Sequence, residues 1–111
     1  MQIQKISDSQ EFDNLTEDWR KLQVWTFGPL ADSDEDDNIQ VLIATVDGQV
    51  AAYLIAEDTG LWHIETRDGF GGNGYAKQLA REANINYAYE VCSDAGARFC
   101  ETLNIEFDDC R

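Results

Sequence analysis

The sequence is poor in several kinds of residue, and each shortage narrows what the protein can be. Its 111 residues include one proline, one methionine and one histidine, and eight lysines and arginines stand against 22 aspartates and glutamates. The net charge of −14 argues against direct binding to the phosphate backbone of a nucleic acid. No apolar run approaches the ~20 residues that cross a bilayer, so we expect no membrane partner. The N-terminus lacks the features of a signal peptide, which favours a cytoplasmic protein.

Cysteine is also scarce. The three cysteines, Cys92, Cys100 and Cys110, are odd in number and form no C-x-x-C pair. This pattern argues against a disulfide framework and against a metal site. We therefore expect reduced, structural thiols and no metal ligands.

The residues that are present predict a single folded domain over residues 1–111. Apolar residues make up 43% of the chain and aromatic residues 11%, which is enough for one modest core. The acidic excess favours solubility and basic partners. It is also compatible with a protein that imitates the charge of a nucleic acid and occupies a basic groove.

The N-terminal part predicts a strand, a helix and an acidic loop. Gln2–Ile6 is typical of a short strand, and residues 7–10 match a capping box that begins a helix over about residues 8–24. Phe27-Gly28-Pro29 ends that helix. The acidic run at 32–37 is interpreted as a solvated loop, or as a collar that attracts a cationic acceptor.

A hairpin is the clearest local signal in the middle of the chain. Residues 39–46 and 49–56 are rich in β-branched and apolar residues, and Asp47-Gly48 joins them as a tight turn. Both runs are apolar on both faces, which indicates a central position in the sheet. Residues 61–66 predict a third strand.

The C-terminal part has two interpretations. Apolar residues at steps of three and four predict a long helix over residues 74–95, which Gly96 would end, followed by an alternating strand over 97–107. The order β-α-β-β-β-α-β then describes an α+β fold whose mixed sheet has an antiparallel meander, a central helix and one parallel crossover. The alternative makes 85–91 a strand and 93–105 a short helix followed by a strand.

A glycine-rich loop stands before the predicted central helix, at Gly69–Ala76. Its glycines let successive backbone N–H groups point the same way, and the following helix adds its unpaired N–H groups and positive dipole end. Together they predict an anion site suited to phosphate or pyrophosphate. No Gly-Lys-Ser/Thr follows as in a Walker motif, and too little chain remains for a dinucleotide-binding fold.

The loop resembles the one that holds acetyl-CoA in GNAT-type N-acetyltransferases. The segment from Gly71 to Ala76 matches the family loop at Gly74 and Ala76, although Gly71 replaces the Gln or Arg of the family. Residues 66–70 resemble the strand end before that loop, and Leu79 stands at the position of a buried helix leucine. The element order up to the loop is similar as well.

The resemblance implies an acetyl-CoA-dependent N-acetyltransferase with a GNAT-like mixed sheet, acting on a cationic amine of a small molecule or a protein. The pantetheine arm of acetyl-CoA would lie between the strands at 61–66 and 97–107. The residues implied at the cofactor are the backbone amides of Gly72, Asn73, Gly74, Tyr75 and Ala76, with Arg67, Lys77 and Arg81 as a local positive cluster.

The catalytic groups are less clearly marked. His63 and Glu65 lie on the same side of the predicted strand and are the candidates for the general base. In the long-helix interpretation the tyrosine that serves as general acid in the family has no counterpart. In the alternative interpretation Cys100 stands at that position.

A second function stays open beside the enzyme. A reduced, acidic GNAT-like protein, virus-encoded or accessory, could instead bind and inhibit a basic protein partner without catalysis. A truncated sheet would also leave an unpaired edge strand, so we expect a homodimer in which a partner chain covers the C-terminal strand.

Overall fold

The computed structural model describes residues 1–6, 9–16 and 39–111, which form one mixed sheet of six strands with three helices. The strands are β1 (Gln2–Ile6), β2 (Ile39–Val46), β3 (Gln49–Glu57), β4 (Gly60–Thr66), β5 (Tyr87–Val91) and β6 (Glu106–Asp109), and the helices are α1 (Ser9–Thr16), α2 (Tyr75–Glu82) and α3 (Asp94–Thr102). The strands lie in chain order. The first four are antiparallel, whereas β4, β5 and β6 run parallel. The predicted α+β fold with an antiparallel meander and a central helix is confirmed.

The turn between β2 and β3 forms where the sequence predicts it. Asp47 has φ of 51° and Gly48 has φ of 81°, the two positive values that a tight type I′ hairpin turn requires. The register pairs Val46 with Gln49 directly across the turn. Both strands are buried on both faces, as their composition predicts.

Helices cover the two faces of the sheet unequally. On one face α2 and α3 pack through Leu79 and Cys100 onto a core that includes Leu54. On the other face Phe12 of α1 meets the Tyr53 ring edge to face, with centroids 5.1 Å apart and an interplanar angle of 83°. The central strands are therefore enclosed on both sides within the described part of the chain.

The predicted long helix over 74–95 and strand over 97–107 are wrong; the alternative interpretation has the right element order, although its last strand lies at Glu106–Asp109 and not within 93–105. Helix α2 ends in a Schellman motif around Asn84, whose φ is 57°; the Asn84 N–H donates to Arg81 and the Ile85 N–H donates to Ala80. The chain then forms β5 and α3, so the fold has two parallel crossovers instead of one. The apolar spacing of β5 happens to continue the helical period.

Gly96 does not end a helix. It lies in the first turn of α3, where its N–H donates to the Ser93 Oγ at 3.0 Å. Helix α3 ends instead at Asn104, with φ of 56° and the same pair of terminal hydrogen bonds as α2. Asparagine tolerates the left-handed conformation better than other residues with a side chain, so it replaces glycine at both helix ends.

The expectation of three reduced cysteines is wrong for two of them. Cys92 and Cys110 form a disulfide whose Cα atoms lie 4.9 Å apart, and Cys100 is a free, buried thiol. Cys92 follows β5 and Cys110 follows β6, and the Cys110 N–H donates to the Val91 carbonyl at 3.0 Å. The pairing follows from the parallel neighbours β5 and β6, which the long-helix interpretation does not contain.

Several expectations concern residues outside the described ranges. They are the capping box at 7–10, the helix beyond Thr16, its end at residues 27–29 and the acidic run at 32–37. No helix in the described ranges is long and apolar enough to cross a membrane. Strand β6 lies at one edge of the sheet, and the predicted homodimer through it stays a prediction.

Candidate active site

The glycine-rich loop is held open by its backbone. Gly69, Gly72 and Gly74 have φ of 92°, 81° and 78°, a conformation that other residues adopt only with strain. The Asn73 side chain supports this shape, because its Nδ2 donates to the carbonyls of Phe70 and Gly71 at 3.1 and 3.4 Å. The loop therefore has a defined backbone form.

The N-terminus of α2 adds hydrogen-bond donors to the loop. Gly74 is the N-cap and has no side chain to satisfy the first helical N–H groups, and the first helical bond runs from Gln78 N–H to the Gly74 carbonyl. The backbone N–H groups of 72–77 have no hydrogen-bond partner among the described residues. Such a set of aligned donors at a positive helix end is a cradle for an anion.

A cavity of about 220 Å³ lies over this cradle. It is lined by Gly72, Gly74 and Tyr75 of the loop and helix, with Lys77 from the first turn of α2 and Phe99 from α3. Lys77 is the cationic residue in this lining. The cavity thus combines backbone donors and positive charge.

A second and larger space opens where β4 and β5 separate. The two strands pair only at Gly60 with Tyr87 and at Leu61 with Ala88, and beyond these pairs they diverge. The resulting cleft has a volume of about 360 Å³ and is lined by β4, β5 and α3. It adjoins the loop cavity, because Thr66, Ala76 and Phe99 line both.

His63 and Glu65 lie on the same side of β4, as their alternation predicts. They pair across to Ile55 and Tyr53 of β3, on the face that α1 covers. His63 also lines the cleft, and its Nε2 is buried with no hydrogen-bond partner among the described residues. The Glu65 carboxylate accepts a hydrogen bond of 2.8 Å from the Tyr53 hydroxyl.

The environment of His63 favours the neutral imidazole. Burial lowers the pKa of His63 below its usual value of 6.5, and the negative charge of Glu65 opposes this shift only in part. The Nε2 atom lies 3.9 Å from Oε1 of Glu65, too far for a hydrogen bond. A neutral imidazole beside the cleft can accept a proton.

Two members of the predicted positive cluster, Lys77 and Arg81, line different cavities. Lys77 lies at the loop, whereas Arg81 lines a different cavity of about 510 Å³ with Asn84 and Asn104, at the C-terminal ends of α2 and α3. Arg67 follows β4 and its N–H donates to the Ala51 carbonyl at 2.8 Å. Of the three cations, Lys77 is the one that lines the anion cradle.

The cleft is also lined by residues that the long-helix interpretation does not place in a helix beside it. Phe99 and Cys100 come from α3, where the long-helix interpretation predicts a strand. The alternative interpretation does predict Cys100 at the site. Burial raises the pKa of the Cys100 thiol, so it stays protonated at neutral pH. Trp62 and Tyr89 line the same cleft and had no sequence signal that singled them out.

No protein-family model and no curated protein matches this sequence. Solved structures are similar in fold. A ribosomal-protein-alanine N-acetyltransferase from Brucella melitensis superposes with a TM-score of 0.61 at 20% identity, covering 93% of this chain and 91% of that one.

Two further structures support the same fold. The aminoglycoside 6'-N-acetyltransferase AAC(6')-IG from Acinetobacter haemolyticus gives a TM-score of 0.60 at 17% identity, over 100% of this chain and 79% of its own. A transcriptional regulator from Bacillus halodurans gives 0.64 at 15% identity, over 95% and 92%. Strand order, the glycine-rich loop before α2 and these likenesses together show that the chain has the fold of the GNAT N-acetyltransferases.

Proposed function

We propose that this protein is an acetyl-CoA-dependent N-acetyltransferase that acts on a cationic small-molecule amine. The observation that carries the proposal is the joined pair of cavities, an anion cradle at the start of α2 and a cleft between β4 and β5. A neighbour of the same fold, AAC(6')-Iy, has been solved in complex with CoA at a TM-score of 0.53 and 14% identity. That complex supports the general reaction, not the acceptor of this chain.

The residues present fit acetyl-CoA. The N–H groups of 72–77 would donate to the pyrophosphate, and the Lys77 ammonium would balance part of its charge. Gly71 has no side chain at the position where the family has Gln or Arg, so the backbone would contribute more of the binding. When bound, acetyl-CoA supplies the acetyl group as a thioester.

His63 is the better of the two candidates for the general base. The residue lines the cleft, its Nε2 is buried and unpartnered among the described residues, and its imidazole is neutral at pH 7 because burial lowers its pKa. Glu65 is engaged by the Tyr53 hydroxyl and stands next to the imidazole. We therefore propose that His63 accepts the proton of the attacking amine and that Glu65 positions the imidazole.

Cys100 is the candidate for the proton donor. Its buried thiol lines the cleft and is held protonated, since burial raises its pKa. A thiol that keeps its proton at neutral pH can deliver it to a thiolate formed inside the same cleft.

Calorimetry with acetyl-CoA tests the proposal. We expect saturable binding well below millimolar concentrations, and Gly74→Val should weaken it at least tenfold, because a β-branched residue cannot hold φ of 78° without strain. Gly74→Asn is the matched control, since asparagine adopts this conformation more readily. Absence of binding at millimolar acetyl-CoA would overturn the enzyme assignment, and an unchanged affinity of Gly74→Val would show that the cofactor site is placed wrongly.

The non-catalytic alternative makes the opposite prediction. An acidic protein that only blocks a basic partner has no need of a CoA site, and no feature of the described residues favours it over the enzyme. Absence of acetyl-CoA binding, together with binding of a basic protein that salt weakens, would favour it.

A further inference from the structure

Three aromatic side chains form a continuous surface beside the cleft, on strands β4 and β5. The Trp62 and Tyr89 rings are stacked, with centroids 4.4 Å apart, and Tyr87 meets Tyr89 edge to face at 5.4 Å. Tyr89 can lie flat across β4 because residue 60 is glycine; a Cβ there would overlap the ring. We call Trp62, Tyr87 and Tyr89 the aromatic surface.

The aromatic surface is exposed at Trp62, half-buried at Tyr87 and Tyr89, and bordered by acidic residues. Trp62 is 45% exposed, an unusual state for the largest apolar side chain. Its indole N–H donates to Oε1 of Glu57 at 3.2 Å, which fixes a carboxylate at the ring edge. Glu90 lines the same cleft next to Tyr89. Exposed π faces with adjacent carboxylates attract organic cations rather than neutral or anionic groups.

Such a surface is suited to binding an ammonium group that takes no part in the reaction. An amine that attacks a thioester has to be neutral, because its lone pair forms the new bond. Carboxylates and π faces stabilise the protonated form and thereby raise the pKa of a bound amine. A surface of this kind would hinder the reacting amine, whereas it would hold a second charge on the same molecule.

We infer that the aromatic surface binds the second, non-reacting ammonium of an aliphatic diamine acceptor, with the face of Trp62 that points away from Tyr89 as the π face and Glu57 as the counter-charge. This rests on the proposed function for the identity of the reaction and adds the class of acceptor and the residues that select it. Trp62 and His63 line one cleft, so the acceptor would place its reacting amine towards His63 and its second ammonium on Trp62. The net charge of −14 favours a dication over a monocation.

Titration with 1,4-diaminobutane, followed by NMR, tests the inference without acetyl-CoA. The Trp62 indole resonance is identified by its loss in Trp62→Phe, and we expect a saturable shift of this signal and of the Tyr89 amide in the wild-type protein. The neutral analogue 1,4-butanediol has the same chain length and should shift neither. Equal shifts with both compounds would overturn the inference.

Variants at Trp62 separate the π face from apolar contact. Followed at the Tyr89 amide, Trp62→Leu should bind 1,4-diaminobutane about threefold to thirtyfold more weakly, and Trp62→Phe should lie between leucine and tryptophan. Leucine keeps an apolar side chain, so an unchanged dissociation constant in Trp62→Leu would contradict a cation–π contact.

Glu57→Gln covers the case in which Trp62→Leu does not fold. The glutamine oxygen can still accept the indole N–H, so the ring stays in place while the negative charge is lost. We expect weaker binding of 1,4-diaminobutane in Glu57→Gln and unchanged binding in Glu101→Gln, which removes one charge from α3. Equal effects of the two variants would mean that net charge alone attracts the diamine, and the inference would fall.

The two proposals can fail separately. If acetyl-CoA binds and 1,4-diaminobutane does not, the aromatic surface is wrong as an acceptor site and the enzyme assignment stands. If 1,4-diaminobutane binds at Trp62 and acetyl-CoA does not, the cation site stands and the acetyltransferase assignment falls.

Discussion

His63 and Glu65 stand side by side on β4, with Nε2 of the imidazole 3.9 Å from Oε1 of the carboxylate. Two opposing effects act on the imidazole. Burial lowers the pKa of His63, the stronger effect, and the charge of Glu65 raises it. The Tyr53 hydroxyl holds Glu65 by a 2.8 Å hydrogen bond, so the carboxylate is fixed where it can act on its neighbour.

The balance at His63 can be measured directly, because it is the one histidine of the sequence. In an NMR titration of the imidazole protons we expect a pKa below 6.5 in the folded protein. Glu65→Gln removes the attraction that raises the pKa, so the pKa should fall further. A pKa at or above 6.5, or a rise in Glu65→Gln, would contradict this account.

The same shift predicts how stability depends on pH. The unfolded chain has the higher histidine pKa, so it binds more protons than the folded chain between the folded pKa and about 6.5. The contribution of His63 to the free energy of unfolding is fully present above about pH 6.5 and is lost as the pH falls through this window. Urea denaturation at several pH values gives the free energy of unfolding as a function of pH. This free energy should change less steeply with pH in His63→Gln than in the wild-type protein. An identical pH dependence would argue against the buried neutral imidazole.

The close approach of Tyr89 to β4 makes a prediction about Gly60. In Gly60→Ala the new Cβ would overlap the Tyr89 ring, so the ring has to move or the strands have to shift. We expect the free energy of unfolding to fall by about 1–3 kcal/mol, measured by urea denaturation. Gly71→Ala is the control, because a Cβ there meets open space and its φ is not positive; it should change stability by less than about 0.5 kcal/mol.

The sequence predicts the first part of the fold better than the second. Asp47-Gly48 and the glycine-rich loop work through backbone conformations that glycine signals directly, and both lie where expected. The ends of α2 and α3 depend on Asn84 and Asn104, whose left-handed conformation is a minority choice for asparagine. Because the sequence marks the end of α2 only weakly, the long-helix interpretation assigns the residues of β5 to a helix.

The candidate site follows the same pattern. The anion cradle is local, so consecutive residues predict it. The cleft is a long-range feature that needs β4 and β5 to part, and its Trp62, Tyr89 and Cys100 come from three elements. Arg81 shows the converse: it is near the loop in sequence, but α2 carries it to the opposite end of the helix.

The disulfide between Cys92 and Cys110 closes a loop across 18 residues, including α3 and β6. In the chain-entropy view a cross-link of this length contributes about 3 kcal/mol to the free energy of unfolding. We therefore expect urea denaturation with a reductant to show a loss of that size, and a Cys92→Ser/Cys110→Ser protein to be insensitive to the reductant. Thiol titration in denaturant without reductant should find one thiol per chain, that of Cys100. Three titratable thiols, or equal stability with and without the reductant, would show that the bond does not form in solution.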